Sequence, residues 1–478
     1  MAYLIIVLGS LIRIVEYLSN RSLWVDEAFL ALNVIQKNAL ELTRPLIYDQ
    51  HAPIGFLWLE RLLYELFGQG ELVLRLPPLL FGIASIYLFK KFADNYFSSI
   101  FSLLALSIFS FSDLLIRYST ELKQYSIGVA VAITLYLIAF KNNRLLLFVV
   151  GVLGLFLSHS PVFILIPIAI VYSIPLIKKH DFKNLTIWGL MVLSWVLLFY
   201  ILYGYDVSSA YQNTSFLREW PYFRLSVLKP ASLIYDFQGF LIIFEELLGS
   251  LSAWVEIILL FLGAHFYFKK DKKTFTLLIL PLVLGLIASG FHKYPFTTRL
   301  FLYAVPALII LIVKGAELTF EFVKKASEKW LFLAVVAVLL IPSMILSGMR
   351  LFKPRQIEEI KPILSYYQMN RKPNDFTYAY YASEAPLYYY MHQYGINRED
   401  FFLGTISRED WPKYIQEIDK VIMGKRRVWF IFSHVIVSRD TVWGPMNEEE
   451  YILNHLDKKG KRIENFRTTG ASIYLYEF

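Results

Sequence analysis

The sequence contains no cysteine, which excludes disulfide bonds, thiol chemistry and cysteine-ligated metals. It has no close-spaced metal-ligand pattern such as HExxH and no visible internal repeat of the kind found in many transporters. No basic surface with interleaved aromatic residues appears, so we expect no nucleic acid partner. What the 478 residues do supply is apolar surface. They are 56% hydrophobic with a mean hydropathy of +0.49, too apolar for a soluble enzyme of this length.

Apolar segments recur until about residue 347, and each crossing of a bilayer needs roughly 20 mostly apolar residues. We predict a polytopic α-helical membrane protein with about 11 spans, in a range of 10–13. The first lacks a basic leader and a small-residue cleavage site, so it is expected to stay as a span. The predicted spans are 3–19, 72–89, 98–115, 122–140, 145–158, 161–177, 185–203, 240–268, 274–290, 299–313 and 330–347.

Basic residues alternate between successive loops. If residues 20–71 form the first outer loop, every second loop thereafter is short and basic, as with Lys90 and Lys91 or Lys178 and Lys179. The positive-inside rule then places the N-terminus in the cytoplasm and the C-terminal region on the extracytoplasmic side. The net charge of +8 is explained by these cytoplasmic loops.

The composition changes near residue 352, which predicts two domains. Residues 1–351 would form the membrane domain and residues 352–478 a soluble extracytoplasmic α/β domain. Aromatic and β-branched content predicts strands and amphipathic spacing predicts helices. The predicted strands are 376–383, 427–437 and 471–478, with a turn at 467–470; the predicted helices are 408–423 and 446–458.

Two outer loops are long. In the first, 20–71, residues 26–38 and 53–67 have helical periodicity and are predicted to lie in the membrane interface. The second, about 204–239, carries no pattern that assigns a structure. Within the first span, Arg13 and Glu16 are three residues apart, which predicts an intramembrane ion pair.

Polar side chains from several separate loops fall on the predicted outer side. Such a set suits a transferase that uses a lipid-phosphate donor, because a carboxylate removes a proton from the attacking group and cations stabilise the departing phosphate. The alternative interpretations are helix-start acids for the carboxylates, interfacial snorkelling for the cations, and a divalent metal held by the two histidines with an acid. The residues are Asp26, Glu27, Gln50, His51, Arg117, Glu121, Lys123, His159, Lys293 and Arg299.

Six ordered blocks resemble the GT-C glycosyltransferases of family 39 type. That group includes the protein O-mannosyltransferases, the lipid A aminoarabinose transferases and the galacturonosyltransferases of lipopolysaccharide core, and the likeness is strongest to uncharacterised prokaryotic members. The blocks are SLWVDEAFLALNV, DQHAPIGFLWLERL, LRLPPLLFGI, STELKQYS, LSHSPVFIL and TTRLFLYAVPALIIL. The C-terminal motifs RVWFIFSHV and GASIYLY extend the resemblance over nearly the whole chain.

The resemblance implies the GT-C fold, a polyprenyl-phosphate-linked sugar as donor and a location in the plasma membrane of a prokaryote. It implies Asp26 as general base, with Glu27 as the second acid. Together, the resemblance and the outer-side polar set predict phosphate binding at Arg299, Lys123, His51 and Arg117, and substrate binding at Gln50, Glu121, Tyr125 and His159. The chain departs from the aminoarabinose transferases, with His51-Ala52-Pro53 in place of Lys-Pro-Pro and Phe29 in place of an Arg. It also lacks the Trp-Trp-Asp signature of oligosaccharyltransferases.

The predicted function is inverting transfer of a single sugar to a hydroxyl of a protein, lipid or polysaccharide acceptor, with membrane lipid around the spans. No cofactor is expected to be required, with a divalent metal as the alternative. A transporter or flippase of lipid-linked sugars is the rival class. It is disfavoured because transporters place ionisable residues near the bilayer midplane.

Overall fold

A computed structural model gives the structure of the protein, and it describes residues 1–210, 230–248, 253–325, 329–406, 410–438 and 446–478. The chain divides into two compact units. Unit 1 comprises Met1–Ser19 and Lys37–Pro354, and unit 2 comprises Asn20–Gln36 and Arg355–Phe478. The segment 20–36, which the sequence places in the first outer loop of the membrane domain, therefore clusters with the C-terminal residues.

The regular secondary structure of unit 1 is entirely helical among its described residues. The helices are α1 (Ala2–Leu18), α3 (Ile54–Phe67), α4 (Glu71–Ala93), α5 (Ser99–Phe111), α6 (Asp113–Tyr118), α7 (Tyr125–Phe140), α8 (Arg144–Leu157), α9 (Val162–Lys178), α10 (Phe182–Ala210), α11 (Pro230–Leu248), α12 (Ala253–Lys270), α13 (Lys272–Gly290), α14 (Val305–Lys325) and α15 (Lys329–Arg350), while α2 (Val25–Gln36) belongs to unit 2. The single span predicted at 240–268 is wrong, because two helices, α11 and α12, occupy that stretch.

Five helices are long and apolar enough to cross a membrane: Glu71–Ala93, Phe182–Gly204, Lys272–Gly290, Thr298–Phe322 and Phe332–Arg350. Four shorter helices, α5, α7, α8 and α9, are also apolar. The total of about 11 spans stays a prediction. Of the second long loop, residues 211–229 lie outside the described part, and the rest extends α10 and α11.

The predicted first-loop helices are present. The structure has α2 at Val25–Gln36 and α3 at Ile54–Phe67, with Pro53 as the N-cap of α3.

The predicted pair between Arg13 and Glu16 is wrong. The guanidinium of Arg13 donates to the carbonyls of Gly9 and Ser110, both at 2.9 Å. Although Arg13 and Glu16 lie on one face of α1, backbone carbonyls bind the Arg13 guanidinium instead.

Helices α12 and α14 are in direct backbone contact through two glycines. A Cβ added to Gly315 would lie 2.0 Å from the carbonyl oxygen of Leu259, and one added to Gly263 would lie 2.0 Å from that of Leu311. Small residues allow membrane helices to approach this closely, so that dispersion forces act over a long seam. The backbone approach thus fixes these two helices side by side.

Unit 2 is an α/β domain around a five-stranded mixed sheet of order β2-β1-β3-β7-β6. Strand β1 is parallel to β2 and β3, and β7 is antiparallel to both β3 and β6. The strands are β1 (Phe376–Ala379), β2 (Phe402–Leu403), β3 (Arg427–Ser433), β6 (Lys461–Thr468) and β7 (Ala471–Glu477), with a separate hairpin of β4 (Val437–Ser438) and β5 (Met446–Asn447); the helices are α16 (Ile360–Asn370), α17 (Glu384–Tyr390), α18 (Trp411–Ile422) and α19 (Glu448–Lys459).

Both faces of the central strands β3 and β7 are buried, because helices cover the sheet on two sides. Phe430 and Tyr474 pack with side chains of α18 and α19 on one face. On the other face Trp429 meets Tyr367 of α16 edge-on, with ring centroids 5.8 Å apart. The predicted strands at 376, 427 and 471 are therefore present, each somewhat shorter than expected.

The glycine seam of unit 1 gives a stability prediction. Gly315→Ala should lower the thermal unfolding midpoint in detergent, because the added methyl group overpacks a backbone contact at a cost of about 1–3 kcal/mol. Gly189→Ala in α10 is the control, since no described atom lies within 4 Å of the added Cβ. Equal shifts for the two variants would contradict the role of the close approach.

Candidate active site

The acidic pair lies in the first turn of α2, where carboxylates are favoured by the helix dipole. The two acids have different surroundings. Glu27 is completely buried, and its Oε2 accepts a hydrogen bond from Nη1 of Arg21 at 2.7 Å, with the Arg21 side chain also buried. Asp26 is partly exposed. The predicted second acid is therefore committed to a buried ion pair, and Asp26 has the solvent access that an exchanging proton requires.

In unit 1, the ammonium group of Lys123 donates to Oε1 of Gln50 at 3.0 Å, and Lys123 is almost fully buried. The residues just before Gln50 have strained backbones: Tyr48 and Asp49 both have left-handed φ, at 61° and 50°. Such conformations are uncommon outside glycine and occur often at functional sites. Two of the predicted site residues, 73 positions apart, are thus brought together.

Arg117 lies in α6, and its Nε donates to Oε1 of the fully buried Glu121 at 2.7 Å. Burial lowers the pKa of Arg117, but the Glu121 carboxylate more than offsets this and holds the pKa above its usual value. The guanidinium of Arg299 is close enough to act in the opposite direction and lower that pKa. Arg117 and Arg299 therefore both contribute positive charge to this region, and Glu121 offsets part of that charge.

A pocket in unit 1 is lined by Tyr125, His159 and Arg299, three of the residues singled out from the sequence. Its wall also contains Tyr294, whose hydroxyl donates to the carbonyl of Leu300 at 2.6 Å. Burial raises the pKa of the Tyr294 hydroxyl, and nearby Tyr125 raises it further. The phenol therefore stays neutral and can act as a hydrogen-bond donor.

His159 is positioned by the serines on either side of it. The hydroxyls of Ser158 and Ser160 are hydrogen-bonded to each other at 3.1 Å. A Cβ on Gly128 of α7 would come within 2.7 Å of both serine oxygens, so the close approach of α7 fixes this turn. The ring of His159 meets that of Tyr203 edge-on, with centroids 6.4 Å apart.

Sequence reasoning missed several residues of these clusters. Arg21 was overlooked because it lies outside the helix that carries its partner, and only the buried ion pair reveals it. Tyr294 and the paired serines carry no charge signal, although the serines flank a predicted residue.

His51 is partly buried next to Gln50. Among the described residues no group of three or more histidines and acids is arranged to hold a metal ion, and cofactor independence stays a prediction.

One protein-family model and several solved structures match the chain. Residues 51–204 match the model of the dolichyl-phosphate-mannose-protein mannosyltransferases. No curated protein matches the chain by sequence. Among solved structures, ArnT from Cupriavidus metallidurans in the apo state has a TM-score of 0.50 at 13% identity, covering 97% of this chain and 96% of that one.

Two further solved structures also match the fold of the chain. ArnT from the same organism bound to undecaprenyl phosphate gives a TM-score of 0.51 at 11% identity, with 99% and 98% of the two chains covered. The oligosaccharyltransferase of Archaeoglobus fulgidus in the apo form gives 0.53 at 11% identity, with 90% of this chain and 69% of that chain covered. The chain has the fold that these three structures share. Five helices of its described residues are long and apolar enough to cross a membrane, and the chain ends in a small α/β domain.

The buried ion pair beside Asp26 gives a second prediction. Arg21→Met should lower the thermal unfolding midpoint strongly, because the buried Glu27 charge would lose its partner at a cost of about 3–5 kcal/mol. Adding Glu27→Leu should restore most of that loss. Arg61→Met is the matched control, since Arg61 pairs at 2.7 Å with Glu65, a half-exposed residue, and exposed pairs contribute about 0–1 kcal/mol. A double variant no more stable than Arg21→Met would contradict the pairing.

Proposed function

We propose that the enzyme transfers a single sugar from a polyprenyl-phosphate donor to an acceptor hydroxyl on the extracytoplasmic side of the membrane, with inversion at the anomeric carbon. The observation that carries the proposal is the difference between two adjacent acids: Glu27 is buried against Arg21, whereas Asp26 is partly exposed. The structure of ArnT bound to undecaprenyl phosphate supports a donor of that lipid class.

Asp26 is the proposed general base. A carboxylate that accepts a proton from the acceptor hydroxyl needs access to the substrate, and its negative charge must be available when the bond forms. The hydroxyl oxygen then forms the new bond to the anomeric carbon, while the bond from that carbon to the phosphate oxygen breaks. The polyprenyl phosphate leaves with the electron pair. Glu27 takes no proton in this scheme, and its proposed role is to fix the helix through Arg21.

The cations of unit 1 are proposed to bind the leaving phosphate. Arg299 lines the pocket with Tyr125 and His159, and it lies near Arg117. An arginine that is already paired with a carboxylate, as Arg117 is with Glu121, is a weaker phosphate ligand than one facing a pocket. We therefore assign the main contact to Arg299 and Lys123, with Arg117 supporting the local positive potential. His51 is assigned a secondary contact.

The remaining roles follow from hydrogen-bonding capacity. Gln50 orients Lys123 through the 3.0 Å bond, and Glu121 orients Arg117. Tyr125 and His159 are proposed to contact the sugar or its phosphate from the pocket wall. The acceptor is proposed to be a protein, lipid or polysaccharide hydroxyl. We also propose that the C-terminal domain lies outside the cell and that the reaction needs no cofactor.

Transfer from radiolabelled polyprenyl-phosphate sugars to acceptors in isolated membranes tests the assignment of the base. Asp26→Asn should reduce the transfer rate about 100- to 10,000-fold, the usual contribution of general base catalysis. Glu65→Gln is the control, because it removes a half-exposed acid from the same predicted outer loop. Unchanged transfer by Asp26→Asn would show that another group is the base.

Binding separates the donor site from the base. Undecaprenyl phosphate should raise the thermal midpoint of the wild type and of Asp26→Asn equally, since the base does not contact the phosphate. Arg299→Ala should weaken that binding about 10- to 100-fold, because a hydrogen bond to a charged group contributes about 1.5–3 kcal/mol. Full binding by Arg299→Ala would contradict the phosphate assignment. Movement of the lipid-linked sugar across vesicle membranes without any glycosyl product would favour the flippase.

A further inference from the structure

The segment that carries Asp26 is fastened to the C-terminal part of unit 2 by hydrogen bonds to its backbone. The amide of Val25, the first residue of α2, donates to Oε2 of Glu358 at 2.8 Å. The amide and hydroxyl of Ser22 donate to Oε2 of Glu359 at 3.1 and 3.0 Å. The amide of Leu23 donates to the hydroxyl of Tyr390 at 2.8 Å.

These bonds take up backbone donors that the segment itself leaves without partners. The first amides of any helix have no carbonyl to bond within the helix, and here they are buried, with Val25 at 5% exposure and Leu23 at 0%. A buried amide without a partner would cost free energy. The Glu358 carboxylate also places negative charge at the positive end of the helix dipole. It therefore acts as a helix cap supplied from 333 residues further along the chain.

The capping carboxylates are themselves held in place. The amide of Glu359 donates to the carbonyl of Thr469, and the hydroxyl of Thr468 donates to the carbonyl of Glu359, at 2.8 and 2.7 Å. Thr468 is the last residue of β6, and Thr469 begins the turn to β7. The other oxygen of Glu358, Oε1, lies 2.6 Å from Nδ1 of His434 at the end of β3. The two capping carboxylates are thus held by residues at the ends of β3 and β6.

Gly470 allows this arrangement. Its φ of +68° is left-handed, and a Cβ at this position would lie 2.3 Å from the carbonyl oxygen of Ile357. The turn between β6 and β7 therefore lies directly against the backbone that precedes Glu358. A small displacement of this turn would shift the carboxylates and, through them, the first turn of α2.

We propose that Glu358 is a positioning residue for transfer: it fixes the first turn of α2 and thereby the orientation of Asp26. The C-terminal domain then contributes to catalysis by holding the helix of the base, whatever its part in acceptor choice. This inference rests on the proposed role of Asp26. A displacement of about 1 Å at a reacting group costs roughly 100-fold in rate, so a cap far from the substrate can control turnover.

Two substitutions at Glu358 separate geometry from charge. Glu358→Ala removes the acceptor of the Val25 amide, and we expect kcat to fall at least tenfold while KM for the donor stays within twofold. Glu358→Gln keeps an oxygen that accepts from Val25 and an amide that bonds His434, so it should restore kcat to within about threefold of the wild type. Glu417→Ala is the matched control, because Glu417 fastens another part of unit 2 by accepting from Thr405 and Tyr378.

Amide hydrogen exchange of the peptide covering residues 20–36 provides a readout that does not depend on activity. Protection should fall at least tenfold in Glu358→Ala and stay near the wild-type value in Glu358→Gln and Glu417→Ala. Unchanged protection in Glu358→Ala, or an equal loss of kcat in Glu417→Ala, would overturn the proposal. If Asp26→Asn retains full transfer while Glu358→Ala loses protection, the assignment of the base is wrong and the cap on α2 still stands.

Discussion

The backbone donors at the start of α2 are the constraint on which the arrangement around the proposed base depends. Ser22, Leu23 and Val25 are buried without a preceding turn to accept their amide protons, so acceptors must come from elsewhere in the chain. Glu358, Glu359 and Tyr390 provide them. Because those acceptors belong to the C-terminal domain, a segment early in the chain becomes part of a compact unit formed late in it.

A second regularity concerns buried carboxylates, two of which are paired with arginines in the part of the chain that the structure describes. Glu27 is paired with Arg21 and Glu121 with Arg117, both at 2.7 Å. Pairing is required because an isolated buried charge is far more costly than a hydrogen-bonded one. It also separates two proposed roles: a buried, paired acid orients a cation, whereas the partly exposed Asp26 is accessible for proton exchange.

Much of this fold was predictable from the sequence, for physical reasons that differ between elements. The apolar helices of unit 1 and the strands β3 and β7 are continuous hydrophobic runs, so their signal is strong. Strand β6 was missed because Lys461–Thr468 is a charged edge strand with alternating exposure, and edge strands use charge to avoid pairing with other chains. The division of residues 240–268 between α11 and α12 was not predicted, because both helices are apolar.

The candidate site was predictable as a set of residue types but not as a set of contacts. Lys123 with Gln50 and Arg299 with Tyr125 and His159 were identified separately, and the fold brings the members of each cluster together. The partners Arg21 and Glu358 could not be foreseen, since their contacts depend on which backbone amides become buried. Long-range capping of this kind has no local sequence pattern.

The configuration of the product tests the central claim most directly. A polyprenyl-phosphate sugar of defined anomeric configuration should be transferred by the purified enzyme, and the product linkage should be determined by NMR. Direct attack by a hydroxyl activated by Asp26 predicts a single product of inverted configuration. A product of retained configuration would require a covalent glycosyl-enzyme or a second displacement, and it would contradict the role of Asp26 as general base.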